Sequence, residues 1–288
     1  MKLKWLSIFA CFALTNGACS PSKPKTEKPA PAPTASPEVV KVAEPAVEVH
    51  NENPACFGSA TGGKAREFTA GSLVFKGDGY TMASVTPEGQ SGKLVVGVIS
   101  DIKEFLPETV ANLKAFSAWI NASKAQLVVV NGDVAYSQKE MESVLRALGA
   151  ELKIPILVSS GNKELARDFD LALTNVSADL PQIINGNRVR SLSLNDITFV
   201  TLPGYGRKNY TEPGACLFGQ PEIDDTAKLL KAAAGARVLV AHASPLQSGA
   251  DAVDFMVDGK NVGDKRITKM LTETGTKFAI VGNIKEAG

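Results

Sequence analysis

The sequence predicts an α/β fold of mostly parallel strands with crossover helices. Three observations point there. Short apolar, β-branched runs such as "KLVVGVIS", "AQLVVVNGD" and "IPILVSSGN" alternate with longer stretches of helical periodicity. Those runs are continuous rather than alternating, which marks strands buried on both faces. Their order, β-α-β-α-β-α, then β-β, then α-β-α-β, joins strands through helices, as parallel neighbours require.

The start stands apart from this pattern. "MKLKWLSIFACFALTNGACS" has two early lysines, a short apolar core and small residues before Cys19. The run is too short for a transmembrane helix and reads as a secretory signal over residues 1–18. "NGAC" is similar to a bacterial lipoprotein cleavage box with Cys19 as the lipidated residue, although Asn16 stands where an aliphatic side chain is usual. An ordinary signal cut after Ala18 is the alternative. Residues 19–54 are rich in Pro, Ala, Lys and Glu and hold no aromatic side chain. Such a stretch cannot bury a core and is expected to be a disordered tether. His50, at its end, reads as a solvated side chain.

The whole chain has 288 residues, 44% of them hydrophobic, 21% charged, and a net charge of +1. That suffices for one packed domain, expected over 55–288, and leaves no basic footprint for nucleic acid. Of four cysteines, Cys11 lies in the signal and Cys19 is the lipidation candidate. Cys56 and Cys216 remain, both in Gly/Pro-rich surroundings. In an exported protein they suggest one disulfide, with two free thiols as the alternative. Two isolated cysteines do not make a zinc site.

Within the folded part, "SLVFKGDGYTMASV" reads as a hairpin around "KGDG". "KLVVGVIS" is a strand, and "PETVANLKAFSAWINAS" a helix opened by Pro107. After the strand "AQLVVVNGD" comes "SQKEMESVLRALGAEL", a helix capped by Ser137 with Glu140 completing a capping box. "IPILVSSGN" is a strand and "KELARDFDLALTNV" a helix. "RVRSLSLN" and "ITFVTLPG" are strands joined by "NDI". The chain closes with helix "QPEIDDTAKLLKAAAGA", strand "RVLVAHAS", helix "DKRITKMLTETG" and strand "KFAIVGN".

In such sheets, ligands bind beyond the carboxyl ends of the strands. There the sequence places "ISDIKE", "VNGDVAY", "SSGNKEL", "VAHASP" and "IVGNIKEAG". Singly, an Asp after a strand is a helix cap, "GD" and "GN" are turns, and a lone His is a core residue. Together, Asp101, Asp133, Asn162, His242 and Asn283 place oxygen and imidazole donors at five successive strand ends, which core packing does not require.

This ordered set resembles the calcineurin-like metallophosphoesterase family, whose pattern is D-x-H, G-D, G-N-H-[DE], a lone His, then G-H-x-H. The likeness runs from about Lys93 to the C-terminus. It implies a β sandwich of mostly parallel strands flanked by helices, two divalent metals sharing the G-D aspartate, and hydrolysis of a phosphate ester. Asp101 matches the first aspartate, Asp133 the bridging one, Asn162 the asparagine ligand and His242 the lone histidine, with Ala241 where glycine is common. Lys103 and Lys285 stand at metal-ligand histidines, Lys163 at the catalytic one, and Asn283 at another ligand. Glu164 keeps the acidic neighbour. An ammonium group offers no lone pair and repels a cation. The family also continues into further strands, whereas this sequence stops after the last motif. A fragment or a trimmed domain, with an open sheet edge, is therefore expected.

These departures imply a non-catalytic domain, exported and lipid-anchored at a membrane, periplasmic or at the cell surface. Asp–Lys pairs would replace metals, and Lys103, Lys163 and Lys285 would face an anionic or phosphate-containing ligand. No cofactor is expected on this reading. The alternative is an active phosphoesterase with an atypical single-metal site, using Mn, Fe or Mg with Asp133, Asn162, His242 and a weak Asn283. An unrelated doubly wound domain is the third reading.

Overall fold

The computed structural model describes residue 54 and residues 65–70, 72–85, 94–249 and 252–284. Cys19, Cys56, Lys285, the expected signal and the expected tether apart from Pro54 lie outside the described residues. Three strands come first: β1 (Arg66–Ala70), β2 (Leu73–Gly77) and β3 (Thr81–Ser84). Then β4 (Val96–Ile99), α1 (Pro107–Ala122), β5 (Leu127–Asn131), α2 (Gln138–Glu151), β6 (Ile156–Ser159), α3 (Ala166–Asp179) and β7 (Ile183–Asn185) alternate. The hairpin β8 (Ser191–Leu194) and β9 (Ile197–Leu202) leads to a 3-10 turn at Lys208–Tyr210. The remaining elements are α4 (Gln220–Ala232), β10 (Ala236–Ala241), α5 (Lys265–Thr274) and β11 (Phe278–Ile280).

Two sheets result. The smaller, β4-β5-β6-β7, is wholly parallel. The larger runs β1-β2-β3-β8-β9-β10-β11. In it β3/β8, β9/β10 and β10/β11 are parallel, while β1/β2, β2/β3 and β8/β9 are antiparallel.

Side chains on a strand alternate between faces, and here both faces find an apolar partner. Val128 and Val130 of β5 pack with Leu145 and Leu148 of α2, whereas Leu127 and Val129 join Phe199 and Val240 of the other sheet. On the large sheet, Leu239 and Ala241 of β10 pack with Ile223 and Ile267 of α4 and α5. The three clusters stack four layers: helices, small sheet, large sheet, helices. Each fully buried Val or Leu contributes roughly 1.5–3 kcal/mol of transfer free energy, so the continuous apolar runs follow from double-sided burial.

Most elements lie where the sequence places them. Pro107 opens α1 at its first turn, and Gly275 ends α5 with φ 66°. Two strands escaped the reading: β1, whose "REFTA" lacks an apolar run, and β7, a three-residue edge strand. Helix α3 starts at Ala166, because Lys163 and Glu164 belong to the loop that builds the site. The capping box on α2 is only half made. Glu140 N–H donates to Ser137 Oγ at 3.3 Å, but the Glu140 carboxylate turns to the Ser137 hydroxyl at 2.8 Å. At one side of the stack, Val98 on edge strand β4 and Phe278 on edge strand β11 are 43% and 52% exposed. Among the described residues no further strand covers them.

Candidate functional site

The carboxyl ends of β4, β5, β6, β10 and β11 meet at one end of the two sheets. Buried Asn131, the last residue of β5, ties the sheets together. Its Nδ2 donates to the Ala241 carbonyl at 3.0 Å and lies 3.4 Å from that of Ile280. The loops beyond are held in an unusual backbone. Asp101, Lys103, Asp133 and Asn283 have φ of 58°, 70°, 53° and 67°. Left-handed backbone costs a non-glycine residue on the order of 1–3 kcal/mol and clusters at functional sites. Asp and Asn tolerate it better than Lys does, so Lys103 carries the greatest strain.

Cross-strand bonds fix these loops. Asp101 N–H donates to the Gly132 carbonyl at 3.1 Å, and Lys103 N–H to the Asp133 carbonyl at 2.9 Å. Ser100 Oγ lies 2.8 Å from Asp101 Oδ2 and 2.9 Å from the Asn131 carbonyl. Glycine is needed where the loops touch. A methyl group on Gly132, at φ 82°, would stand 2.5 Å from His242 Nδ1 and 2.7 Å from the Gly161 Cα.

Around this frame the expected residues converge in two groups. In the first, Lys103 Nζ lies 3.4 Å from Asp101 Oδ1 and 3.7 Å from Asp133 Oδ2. Both oxygens are buried and make no hydrogen bond. Among the described residues, this ammonium lies within ion-pair distance of each, at more than hydrogen-bond contact. In the second, His242 Nε2 faces Asn162 Oδ1 at 3.2 Å and Asp133 Oδ1 at 3.4 Å. His242 Nδ1 sits 2.7 Å from the Asn131 carbonyl, which can only accept, so Nδ1 carries a proton. Asn162 Nδ2 donates to the Tyr210 carbonyl, which turns Oδ1 toward the histidine. With His242 Nδ1 so engaged, Nε2 and the two oxygens form a three-atom cluster that a cation could bridge.

The resemblance drawn from the sequence would place two divalent metals here. The first position does not fit one, since Lys103 contributes an ammonium between Asp101 and Asp133 and no lone pair. The second fits better, because Asp133 Oδ1, Asn162 Oδ1 and His242 Nε2 point together. Asn283 stands at its edge, with Nδ2 donating to the Tyr205 hydroxyl at 2.9 Å. No group of three or more His, Cys, Asp and Glu side chains suited to a metal occurs among the described residues.

Lys163, at the catalytic-histidine position, reaches Glu212 Oε1 at 2.9 Å. Glu164 is fully buried and clamps two loops at once. Its carboxylate accepts Val134 N–H at 2.5 Å and Gly161 N–H at 2.9 Å. Burial, and then the neighbouring Asp133, push its pKa up to about 7, against the pull of the backbone donors. Cys216 is buried, with Sγ 3.4 Å from Ser160 Oγ.

Several contributors were absent from the sequence reading. Ser100 and Asn131 are the polar residues ending two otherwise apolar strands, which was a usable signal. Tyr205, whose ring stands edge-on to His242 at 6.3 Å, lies in the Gly-flanked "PGYGR" after β9. Nothing in its spacing marks it.

No family model matches the chain, and no curated protein matches it in sequence. Solved structures do match it in fold. One crystal structure, 15% identical, superposes with a TM-score of 0.55 over 66% of this chain and 83% of its own. TT1561 of Thermus thermophilus is 10% identical, with a TM-score of 0.47 over 65% of this chain and 80% of its own. A dimetal phosphatase from Danio rerio is 12% identical, with a TM-score of 0.44 over 65% and 79%. At these identities the likeness reaches the fold alone: an α/β arrangement of two sheets flanked by helices.

Proposed function

We propose that this chain is a metallophosphoesterase-like domain without phosphoesterase turnover, exported and lipid-anchored through Cys19, with a binding or structural role. One observation carries the reading. Lys103 places its ammonium beside the two carboxylate oxygens that a first metal would take, 3.4 Å from Asp101 and 3.7 Å from Asp133. A cation there would meet the lysine charge at close range. The engagement of Lys163 by Glu212 supports the same conclusion, since its ammonium is committed to a carboxylate from another loop. An ammonium tied to a carboxylate at 2.9 Å is a poor general acid.

Two carboxylates, Asp101 and Asp133, oppose the single ammonium of Lys103, and Lys163 is engaged by Glu212, so the named strand-end pairs carry no excess of positive charge. The role proposed for this end of the sheets is therefore to hold the loops. An anionic ligand at Lys103 and Lys163 would have to displace their carboxylates.

A second reading rests on the convergence of Asp133, Asn162 and His242. These three would hold one hard divalent cation such as Mn, Fe or Mg, completed by water. When bound, such an ion polarises a phosphoryl oxygen and activates water. The chain's own part would be to aim Asn162 Oδ1 through the Tyr210 carbonyl and His242 Nε2 through the Asn131 carbonyl.

Metal analysis of the full chain purified with manganese, together with turnover of an aryl phosphodiester, separates the two. The expected outcome is less than one equivalent of metal and no turnover. One or two equivalents with metal-dependent turnover would overturn the first reading.

A further inference from the structure

A cleft of about 390 Å³ opens beside this site, between the loop after β9 and the start of α5. Its volume lies in the range of small-molecule sites. Gly206, Arg207, Leu246, Gly263, Lys265 and Arg266 form its walls, together with Asp264. We infer that this cleft binds a small organic anion, a phosphate monoester or a carboxylate, through Arg207 and Lys265.

The charge distribution within the cleft carries the inference. Asp264 and Arg266 neutralise each other at 2.6 Å, and that guanidinium is further occupied over the Phe218 ring at 5.4 Å and on the Gly206 carbonyl at 2.9 Å. Asp264 also caps α5 through Arg266 N–H, so the helix end adds nothing to the site. Two cations are left. Arg207 is half-buried, and among the described residues only one bond is made by its five side-chain N–H donors, from Nη2 to the Gly263 carbonyl at 2.7 Å. Neither Arg207 nor Lys265 has a carboxylate within ion-pair distance among the described residues. Partly buried guanidinium groups are ordinarily paired, because removing their donors from water is costly.

The walls are built for close approach. A methyl group on Gly206 would collide with Asp264 Oδ2, and one on Gly263 with Asp254 Oδ2. Gly263 also brings its carbonyl to Arg207, which fixes the direction of the guanidinium. A planar fork of donors suits a phosphate or carboxylate, and Leu246 offers apolar surface to the rest of the molecule. Arg207 follows Tyr205 by two residues, and Tyr205 holds Asn283 at 2.9 Å, so the cleft adjoins the strand-end group. Its cations are free of the carboxylates that occupy Lys103 and Lys163. The inference therefore stands independently of what the strand-end group does.

Calorimetric titration of the full chain at low ionic strength tests it, with inorganic phosphate, methyl phosphate and butyrate as probes, followed by amide NMR at Gly206 and Gly263. The expected result is saturable binding of at least one of the three, with shifts at both glycines. Arg207→Gln should weaken it about tenfold, Arg207→Lys less, and Lys265→Gln about threefold. Lys76→Gln, at an exposed lysine of β2, should leave it unchanged. Methyl phosphate and butyrate distinguish a phosphate site from a carboxylate site. No saturable binding of any probe would overturn the inference. So would affinity that falls with Lys76→Gln but not with Arg207→Gln or Lys265→Gln. Lys265 is exposed and makes no hydrogen bond or ion pair among the described residues, so its variant folds if the wild type does.

Discussion

Lys103 meets Asp133 twice. Its backbone N–H donates to the Asp133 carbonyl at 2.9 Å, and its ammonium returns to within 3.7 Å of Asp133 Oδ2. One residue thus closes the loop after β4 onto the loop after β5 by main chain and side chain together. It does so at φ 70°, a backbone that lysine adopts at a cost.

Lys103→Ala should therefore destabilise the fold, by about 1–3 kcal/mol. That lies between an exposed pair and a fully buried one, as the lysine side chain is 25% exposed and Asp133 1%. Combined with Asp101→Asn the loss should be smaller than the sum, because Asp101 then needs no counter-charge. Urea denaturation of the four proteins in the cycle measures this. Strict additivity would show that the ion pairs contribute nothing.

Glu164 gives a dependence on pH with a definite sign. Between the ordinary value of 4.5 and about 7, the folded chain keeps a proton that the unfolded chain has released. Its contribution to stability is complete below 4.5 and is lost as pH rises through about 7. Glu164→Gln should flatten this part of the profile. It should also cost about 1–3 kcal/mol at about pH 5, since one of the two backbone N–H groups then faces an amide NH2. Denaturation midpoints from about pH 4.5 to 8 provide the check; parallel profiles for variant and wild type would contradict it.

Cys216 should be joined to Cys56. The Leu217 N–H donates to the Pro54 carbonyl at 3.0 Å, which brings residue 54 to the Cys216 loop. A bridge from 56 to 216 would close a loop of about 160 residues, worth on the order of 4–5 kcal/mol in the chain-entropy model. Non-reducing peptide mapping should find the cross-linked pair, and reductant should lower the melting temperature. Two freely alkylated thiols would dispose of the claim.

Cys19→Ser should release the protein from membranes. A single acyl chain binds a bilayer only marginally, so firm anchoring needs the several chains of a lipoprotein. Fractionation of cells expressing either form decides it, and a serine variant that still sediments with membranes would argue against the anchor.

Restoring histidine at positions 103, 163, 283 and 285 together should bring manganese binding back, because Asp101, Asp133, Asn162 and His242 still supply oxygen and imidazole donors at the strand ends. Melting with and without manganese reads this out. Several degrees of stabilisation are expected in the fourfold variant and none in the wild type.

Layer structure and site location could be read from the sequence because both are one-dimensional signals. Runs such as "LVVV" are apolar at every position since β5 is buried on both faces, and a strand's last residues must emerge at the same end as those of its parallel neighbours. Asp101, Asp133, Asn162, His242 and Asn283 could thus be named together before any coordinates. Edge strand β1 carries a weak pattern because it is mostly exposed and needs few apolar residues, whereas β7 buries both its isoleucines but is only three residues long, too short for a periodic signal.

What the sequence could not decide was which charge meets which. The identities of Lys103 and Lys163 were plain from their positions, and both looked like replacements for metal-site histidines. Only the tertiary structure sends Lys103 to Asp101 and Asp133, while a loop some fifty residues further on supplies Glu212 to engage Lys163. It likewise leaves Arg207, among the described residues, without a carboxylate in a cleft that no motif marks. Which segments become buried strands follows from burial, which each segment expresses in its own composition. Charge pairing depends on distances of a few ångströms between loops far apart in the chain, and no segment encodes those alone.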